Sequence, residues 1–269
     1  MNKRTRIRTA LGLMLSCSMI PLASQSLAQT VQDPGSATLD EVVVTAQKRS
    51  QNLQVVPISI SAITAELVDK LAIRDARDIS GMTPNVTIVQ GTTSNSAAVI
   101  SMRGISNGGS ESFGLDNANG LYVDGVYIGR SGASALDVMD VERIEVLRGP
   151  QGTLFGRNTT GGAIAFISRQ PSEEFKAKIE AGYGNFNAWN GKISVDPGEI
   201  AGIATSFSYS HREREGTVDN ILQQDNSKDP GARETDAFRA AARTEFGGTA
   251  SLQYIFDWSK TDGITPAFQ

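Results

Sequence analysis

Metal or nucleophilic chemistry needs clustered His, Cys and carboxylate groups, and this 269-residue chain has one histidine, His211, and one cysteine, Cys17. A zinc site would rest mostly on carboxylates, and no clustered spacing supplies them. A phosphate-binding loop is the other possibility, raised by the glycines in Asp137 to Pro171, DVMDVERIEVLRGPQGTLFGRNTTGGAIAFISRQP. That loop requires Gly, four residues, Gly-Lys and then Ser or Thr. Here Gly152 is followed by Thr153, Leu154, Phe155, Gly156 and Arg157, so the phosphate-reaching lysine is missing. Asp137, Asp140, Glu142 and Glu145 read as structural ion partners rather than an acid/base pair. His211 falls near the end of an alternating strand, where an interfacial role accounts for it. No constellation carries catalysis, a metal or a cofactor, so the expectation is a protein that is not an enzyme.

The same segment is informative as architecture. An amphipathic run from Val141 to Leu147 and an apolar run from Ala163 to Ile167 flank two glycine-rich turns, Gly149–Gly152 and Gly161–Gly162. This predicts strand, turn, one helical turn, turn, strand, with Arg148 ending the first strand and Arg157 in the loop between the two. The glycines suit positions of positive φ or close backbone approach. Upstream, Ile58 to Ile63 alternates, with Ile58, Ile60 and Ala62 on one face. Thr64 is placed to N-cap a helix through Leu71 whose Leu67, Val68 and Leu71 share a face. A second short helix, Ala76 to Ser80, stops at Gly81 and Pro84. Val86 to Val89 and Ala98 to Met102 read as strands, Ile105 to Asn119 as a loop, and Tyr122 to Ile128 as a hairpin turning at Asp124-Gly125. Residues 53–171 therefore form a compact α+β domain.

The chain opens on a secretory signal. Lys3, Arg4, Arg6 and Arg8 precede an apolar run from Ala10 to Ala23, and Ser26-Leu27-Ala28 is a small-x-small cleavage site before Gln29. The run is too short to span a bilayer and is broken by Pro21. Removing residues 1–28 takes Cys17 away and leaves 21 Lys+Arg against 29 Asp+Glu, a net charge of −8. Nucleic acid, which requires a basic footprint, is excluded as a partner. No other segment approaches a membrane-spanning helix, although membrane barrels carry their apolar signal in alternation instead.

Beyond Pro171 the period becomes two. Alternating segments run from Ala177 to Tyr183, Trp189 to Val195, Ile203 to Tyr209, Phe238 to Phe246 and Leu252 to Trp258. Both a soluble β-sandwich and a membrane barrel alternate in this way. The connections favour the barrel: short links at Pro197 to Ile200 and Gly247-Gly248, and a long charged one from Arg212 to Arg233.

The segment ending in Leu147-Arg148-Gly149-Pro150, together with its strand–turn–strand frame, resembles the end of the plug domain of TonB-dependent outer-membrane receptors. The resemblance implies an α+β plug domain (53–171) followed by an incomplete antiparallel transmembrane β-barrel, with 172–269 supplying about five of roughly 22 strands. The chain is thus expected to be the N-terminal part of a longer receptor, located in the outer membrane of a Gram-negative bacterium. Within the leader, 29–52, the run LDEVVVTAQKR is similar to a TonB box, assigned to Glu41, Val42, Val43, Val44, Thr45 and Ala46. Such a box needs an exposed, extended backbone that a TonB-type energising protein of the inner membrane captures by strand addition. The resemblance further implies a plug–barrel lock made by Arg103 (Met102-Arg103-Gly104) and Arg148, pairing with barrel glutamates. The implied partners are an extracellular ligand, such as an iron–siderophore complex, and outer-membrane lipid, with the receptor a monomer and no cofactor. A non-transporting periplasmic plug-like binding or signalling module is the other reading, and it would lack the alternating strands.

Overall fold

The computed structural model describes residues 42–45, 49–91, 97–106, 116–129, 140–218, 229–248 and 250–264. The signal at 1–28, Glu41 and Ala46 of the assigned box, and Asp137 lie outside the described residues.

The α+β region runs β1 (Val43–Val44), β2 (Gln51–Asn52), β3 (Ile60–Thr64), α1 (Ala65–Lys70), a 3-10 turn (Ala76–Ile79), β4 (Val86–Gln90), β5 (Ala98–Met102) and β6 (Ile105–Ser106). It continues through β7 (Asn119–Val123), β8 (Val126–Tyr127), β9 (Val141–Arg148), α2 (Gly152–Phe155) and β10 (Gly162–Ser168). Its main sheet has the order β3-β9-β10-β7-β8, with β10 parallel to β7 and the other pairs antiparallel. Ile144 and Val146 of β9 and Ile164 and Phe166 of β10 face one core with Ile63, Ile79, Met102 and Leu121. Leu147, Ala163 and Ala165 face a second core with Tyr122 and Val44. Covering on both faces explains why β10 is nearly continuously apolar and why β9 is apolar from Ile144 to Leu147 apart from Glu145.

Local chemistry sets the connecting elements. Asp75 accepts from the Arg77 N–H at 2.7 Å, and Asp78 accepts back from the Asp75 N–H at 3.0 Å, a capping box that starts the 3-10 turn. The hairpin β5–β6 turns at Arg103-Gly104 with φ of +51° and +78°, the two-residue geometry that matches strand twist. The segment expected as a loop from Ile105 to Asn119 thus begins in β6 and ends in β7, with 107–115 outside the described residues. Helix α1 is shorter than its apolar spacing suggests. It stops at Lys70, buries only Val68, and leaves Leu67 and Leu71 exposed. Thr64 occupies the N-cap position without a side-chain cap bond.

The remaining strands, β11 (Lys176–Gly184), β12 (Ala188–Ile200), β13 (Ile203–Arg214), β14 (Arg233–Phe246) and β15 (Ala250–Gly263), form one antiparallel meander in sequence order. The expected link at Pro197 to Ile200 belongs to β12 instead. The pairing shifts between Val195 and Gly198, and the chain turns at Ala201-Gly202 with φ of +54° and +81°. A bulge tolerates Pro197 because no ladder N–H is needed there. The polarity of this sheet is inverted relative to a water-soluble one. Ile179 and Tyr183 are 76% and 78% exposed, whereas Asp196 and Ser208 on the opposite face are 0% and 3% exposed. A sandwich would bury the aromatic face, so the exposures decide for a lipid-facing barrel wall. Among the described residues no helix is long and apolar enough to cross a membrane, which says nothing of strands.

Gly162 is the tightest junction of β9 and β10: a Cβ there would stand 2.3 Å from the Leu147 carbonyl oxygen and 2.5 Å from Met102 Sδ. We expect Gly162→Ala to destabilise the α+β region by roughly 1–3 kcal/mol through overpacking. Gly152→Ala, with nothing within 4 Å, should be neutral. Denaturation midpoints of the two variants check this, and equal midpoints would refute the close-approach role.

Candidate functional site

The assigned box is not a free strand. Val43 and Val44 pair antiparallel with Asn52 and Gln51, and the Leu53 N–H donates to the Val42 carbonyl at 2.9 Å. Alternation sends Val44, 0% exposed, into the core of Leu147, Ala163 and Tyr122, flanked by Leu53, Val56 and Ile60. Thr45 then reaches β9. Its N–H donates to Glu145 Oε1 at 2.7 Å and its hydroxyl to the same oxygen at 3.1 Å. Glu145 is 1% exposed, and Arg143 Nε donates to it at 2.8 Å. Arg143 Nη2 also donates to Thr45 Oγ1 at 3.2 Å, closing a buried triangle of strand, carboxylate and guanidinium. The exposed, unpaired backbone expected for these residues is therefore absent at Val42–Thr45, because burying Val44 outweighs leaving the segment in solvent.

A second group of contacts joins the α+β region to the polar face of the meander. Asp69 receives Lys178 Nζ at 2.6 Å, and Asp75 lies 3.4 Å from Arg233 Nη1. Asp124 lies 3.4 Å from Arg239, which is itself bonded to Asp257 at 2.6 and 2.9 Å. Arg169 bridges Asp140, at 2.9 and 3.0 Å, to the fully buried Asp196 of β12. Ser208 donates to Asp140 at 3.2 Å. In three of these four contacts the acid belongs to the α+β region and the base to the wall. The family resemblance implies the reverse, arginines in the domain and glutamates on the wall. Asp124 reads from sequence as a turn residue, yet it also accepts from the Ser168 N–H at 2.8 Å and its hydroxyl at 2.7 Å.

Arg103 and Arg148 stand together at the other end of β9. The Arg103 Nη1 atom is 3.0 Å from where a Cβ on Gly149 would sit. Arg103 is exposed in its hairpin turn, rather than at a strand end, and has no ion-pair partner among the described residues. Arg148 Nη1 donates to the Pro84 carbonyl at 3.3 Å, and its buried Nε has no partner. Glu145, three residues before Arg148 on β9, is not its partner, because that carboxylate belongs to Arg143 and Thr45. Glu142 and Asp140 are ion partners of Arg143 and Arg169. His211 points outward, its ring 4.5 Å from that of Trp189 and Nδ1 2.8 Å from Asp236 Oδ1. Strand pairing gathers His211, Glu234 and Asp236 with ligand atoms within 4.8 Å of one another, a metal-capable trio that linear spacing did not reveal.

Comparison with known proteins bears on this architecture. The family model described as TonB-dependent receptor plug domain matches residues 52–163. Residues 52–163 are the plug domain of a TonB-dependent receptor. The pesticin receptor of Yersinia pestis is 30% identical over 170 residues, covering 62% of this chain and 24% of that receptor. The ferrioxamine B receptor of Salmonella typhimurium is 29% identical over 193 residues, covering 68% and 25%. The chain thus spans about a quarter of the length of these curated relatives. Among solved structures, the ferric yersiniabactin uptake receptor FyuA from Yersinia pestis superposes with a TM-score of 0.67 at 24% identity, covering 76% of this chain and 32% of that one. The last comparison supports the fold of plug and strands together.

Two plug carboxylates in the plug-to-wall contacts are tuned by their surroundings. Burial works to raise Asp75, but the Arg77 guanidinium, with Arg233 behind it, holds it below its ordinary value of 3.8. Burial likewise works to raise Asp140, and Arg169, Lys192 and Ser208 hold it below the same value. A depressed carboxylate stabilises the folded state fully above its unfolded value and loses that contribution as pH falls through the lower folded value. We expect docking of the plug on the wall to be pH-independent near neutrality and to loosen below pH 3.8. Protease sensitivity of the plug measured against pH checks this: Asp140→Asn should shrink the acid-induced step, and an unchanged step would refute it.

Proposed function

We propose that this chain is part of a receptor that takes up an extracellular ligand across the Gram-negative outer membrane with energy supplied through a TonB-type inner-membrane protein. The ligand class is a siderophore-like iron complex or another large nutrient. Relatives named for ferrioxamine B, ferripyoverdine and vitamin B12 support that range. The observation that carries the reading is the docked box. Val42–Thr45 is extended and held by a two-residue ladder, one buried valine and one buried carboxylate. Burial of a valine contributes about 1.5–3 kcal/mol and each hydrogen bond about 0.5–1.5 kcal/mol. A docked state of that depth is released by a modest change in the plug, since a ligand biases an equilibrium only by its differential affinity for the two states. Glu41 to Ala46, once freed, becomes the added strand of the energising partner. The wall's exposed apolar face then contacts outer-membrane lipid, and the receptor acts as a monomer.

Val43→Pro tests the box. Proline removes one N–H and fixes φ, so a captured strand loses pairing. The expected outcome, in the full-length receptor, is abolished energised uptake with ligand binding retained. Normal uptake by the proline variant would remove the box assignment.

We further propose that Arg103 and Arg148 lock the plug to barrel carboxylates outside the described residues. Breaking such a pair costs about 3–5 kcal/mol where it is fully buried and less in a wet lumen. The double variant Arg103→Ala/Arg148→Ala should raise single-channel conductance and antibiotic leakage without preventing membrane insertion. Wild-type conductance would leave the two as ordinary surface arginines.

A further inference from the structure

Between the 3-10 turn of the plug and the ends of β12, β13 and β14 lies a cavity of about 370 Å³, a volume in the small-ligand range. Arg74 and Arg77 line it from the plug, and Arg212, Arg214 and Arg233 from the wall. Inward-facing alternation on β13 and β14 delivers the last three to one face: Arg214 is paired opposite Arg233, and Arg212 opposite Thr235. The acids beside them are already engaged. Asp75 is held by Arg77 at 3.0 and 3.1 Å, Asp78 accepts the N–H groups of Arg74 and Asp75, and Glu213 accepts from Trp189 Nε1 at 3.0 Å. Five guanidiniums against three occupied carboxylates leave two positive charges in excess around the cavity.

Arg233 makes the point most directly. Its Nη1 is 3.4 Å from Asp75, while Nε and Nη2 are buried and donate to no group. A buried charged donor without an acceptor is costly, and the polar wall around this one offers no apolar reason for its presence. Guanidinium forks match carboxylate and phosphate oxygens in bidentate fashion, which a lysine cluster would not. The cavity opens at the end of the sheet that carries the long β13–β14 connection, the end barrel proteins turn outward.

We propose that this cavity binds a small polyanion bearing two or more carboxylate or phosphate groups, and, resting on the uptake reading above, that such a group is part of the receptor's ligand. Arg233 shifts to meet one oxyanion with Nε and Nη2, and Arg74, whose side chain bonds nothing among the described residues, meets a second. The wall and the plug then share the ligand, so its arrival is felt by both.

The test is calorimetric titration of the full-length receptor in detergent with pyrophosphate, citrate, inorganic phosphate and, as a neutral control, glycerol. The expected result is saturable binding of pyrophosphate and citrate, weakened by added salt, with none for glycerol. Arg233→Gln and Arg74→Gln should each weaken it by roughly tenfold or more. Arg74→Gln guards against the chance that Arg233→Gln acts only by loosening the Asp75 contact. Absence of saturable binding, wild-type affinity in both variants, or inorganic phosphate binding as tightly as pyrophosphate would overturn the proposal. The Val43→Pro receptor separates this result from the uptake reading. Lost uptake in that variant without anion binding in any form overturns the polyanion site alone. Anion binding by a wild-type receptor that shows no energised uptake upholds the site and removes the uptake reading, whereas transport by the proline variant removes only the box assignment.

Discussion

A sheet that spends its apolar face on lipid has only a polar face to offer the domain inside it, and the rest of this structure follows from that constraint. The inner face presents Ser194, Asp196, Ser206, Ser208, Thr235 and Arg239, all buried. The apolar residues it buries there, Ala204, Ala237 and Ala241, are small, so a domain docking there gains little from the hydrophobic effect and docks mainly through charge. Asp69, Asp75, Asp124 and the Arg169–Asp140 pair supply that charge from the plug side. Desolvation offsets much of what such pairs gain, which makes them a weak source of net stability and a good source of register. A polar interface of this type is separable: water replaces each lost partner, where a parted apolar interface would expose surface it could not re-solvate cheaply. On the proposed function a plug that must move inside a rigid wall needs that property.

The plug's own cohesion is of the opposite kind. Its two apolar cores lie on either side of β9 and β10, so these two strands are the fixed part from which polar groups project. Glu145 is the exception, a carboxylate within the buried, otherwise apolar stretch 144–147, 1% exposed. Its occupants are Arg143 from two residues earlier and Thr45 from a hundred residues earlier. One strand thus holds the docked N-terminal segment through Glu145 and ends three residues later at Arg148. Docking of the box and position of the arginine pair are linked by a single rigid element rather than by a chain of contacts.

What the sequence disclosed and what it withheld divides along a physical line. Periodicity is local, so the strand–turn–helical turn–strand unit around Gly149 and Gly162, the Asp124-Gly125 hairpin and the five alternating strands were all legible. The bulge at Val195–Gly198 was not, because a proline in a run of alternating residues reads as a link until pairing places it. Partnership is non-local. Nothing in linear spacing connects Thr45 to Glu145 or Asp124 to Arg239, and the expectation of an exposed box failed because it considered the segment alone, without the core that receives Val44. The sign of the plug-to-wall contacts was likewise invisible: acids such as Asp69 and Asp75 look like ordinary solvated helix-end residues until the wall is set against them.

The two ends of the wall differ in a way that fixes its direction. Toward the short turns the outward residues stay apolar, through Ile200, Ile203, Phe246 and Leu252, all exposed. Toward the long connection they change. Trp189 directs Nε1 to Glu213 at 3.0 Å, Tyr209 directs its hydroxyl to Asp236 at 2.7 Å, and His211 stacks on Trp189 while bonding the same aspartate. Rings with apolar bodies and polar tips, succeeded by carboxylates, are what the boundary between hydrocarbon and water selects. On the inner face at that same level, Arg212, Arg214 and Arg233 replace the serines found further down β13. Both faces therefore change character at one height, apolar to acidic outside and, along β13, serine to arginine inside. That coincidence places the arginine cavity level with the membrane surface rather than deep in the lumen, where an anion would have to be carried past the plug before it could be recognised.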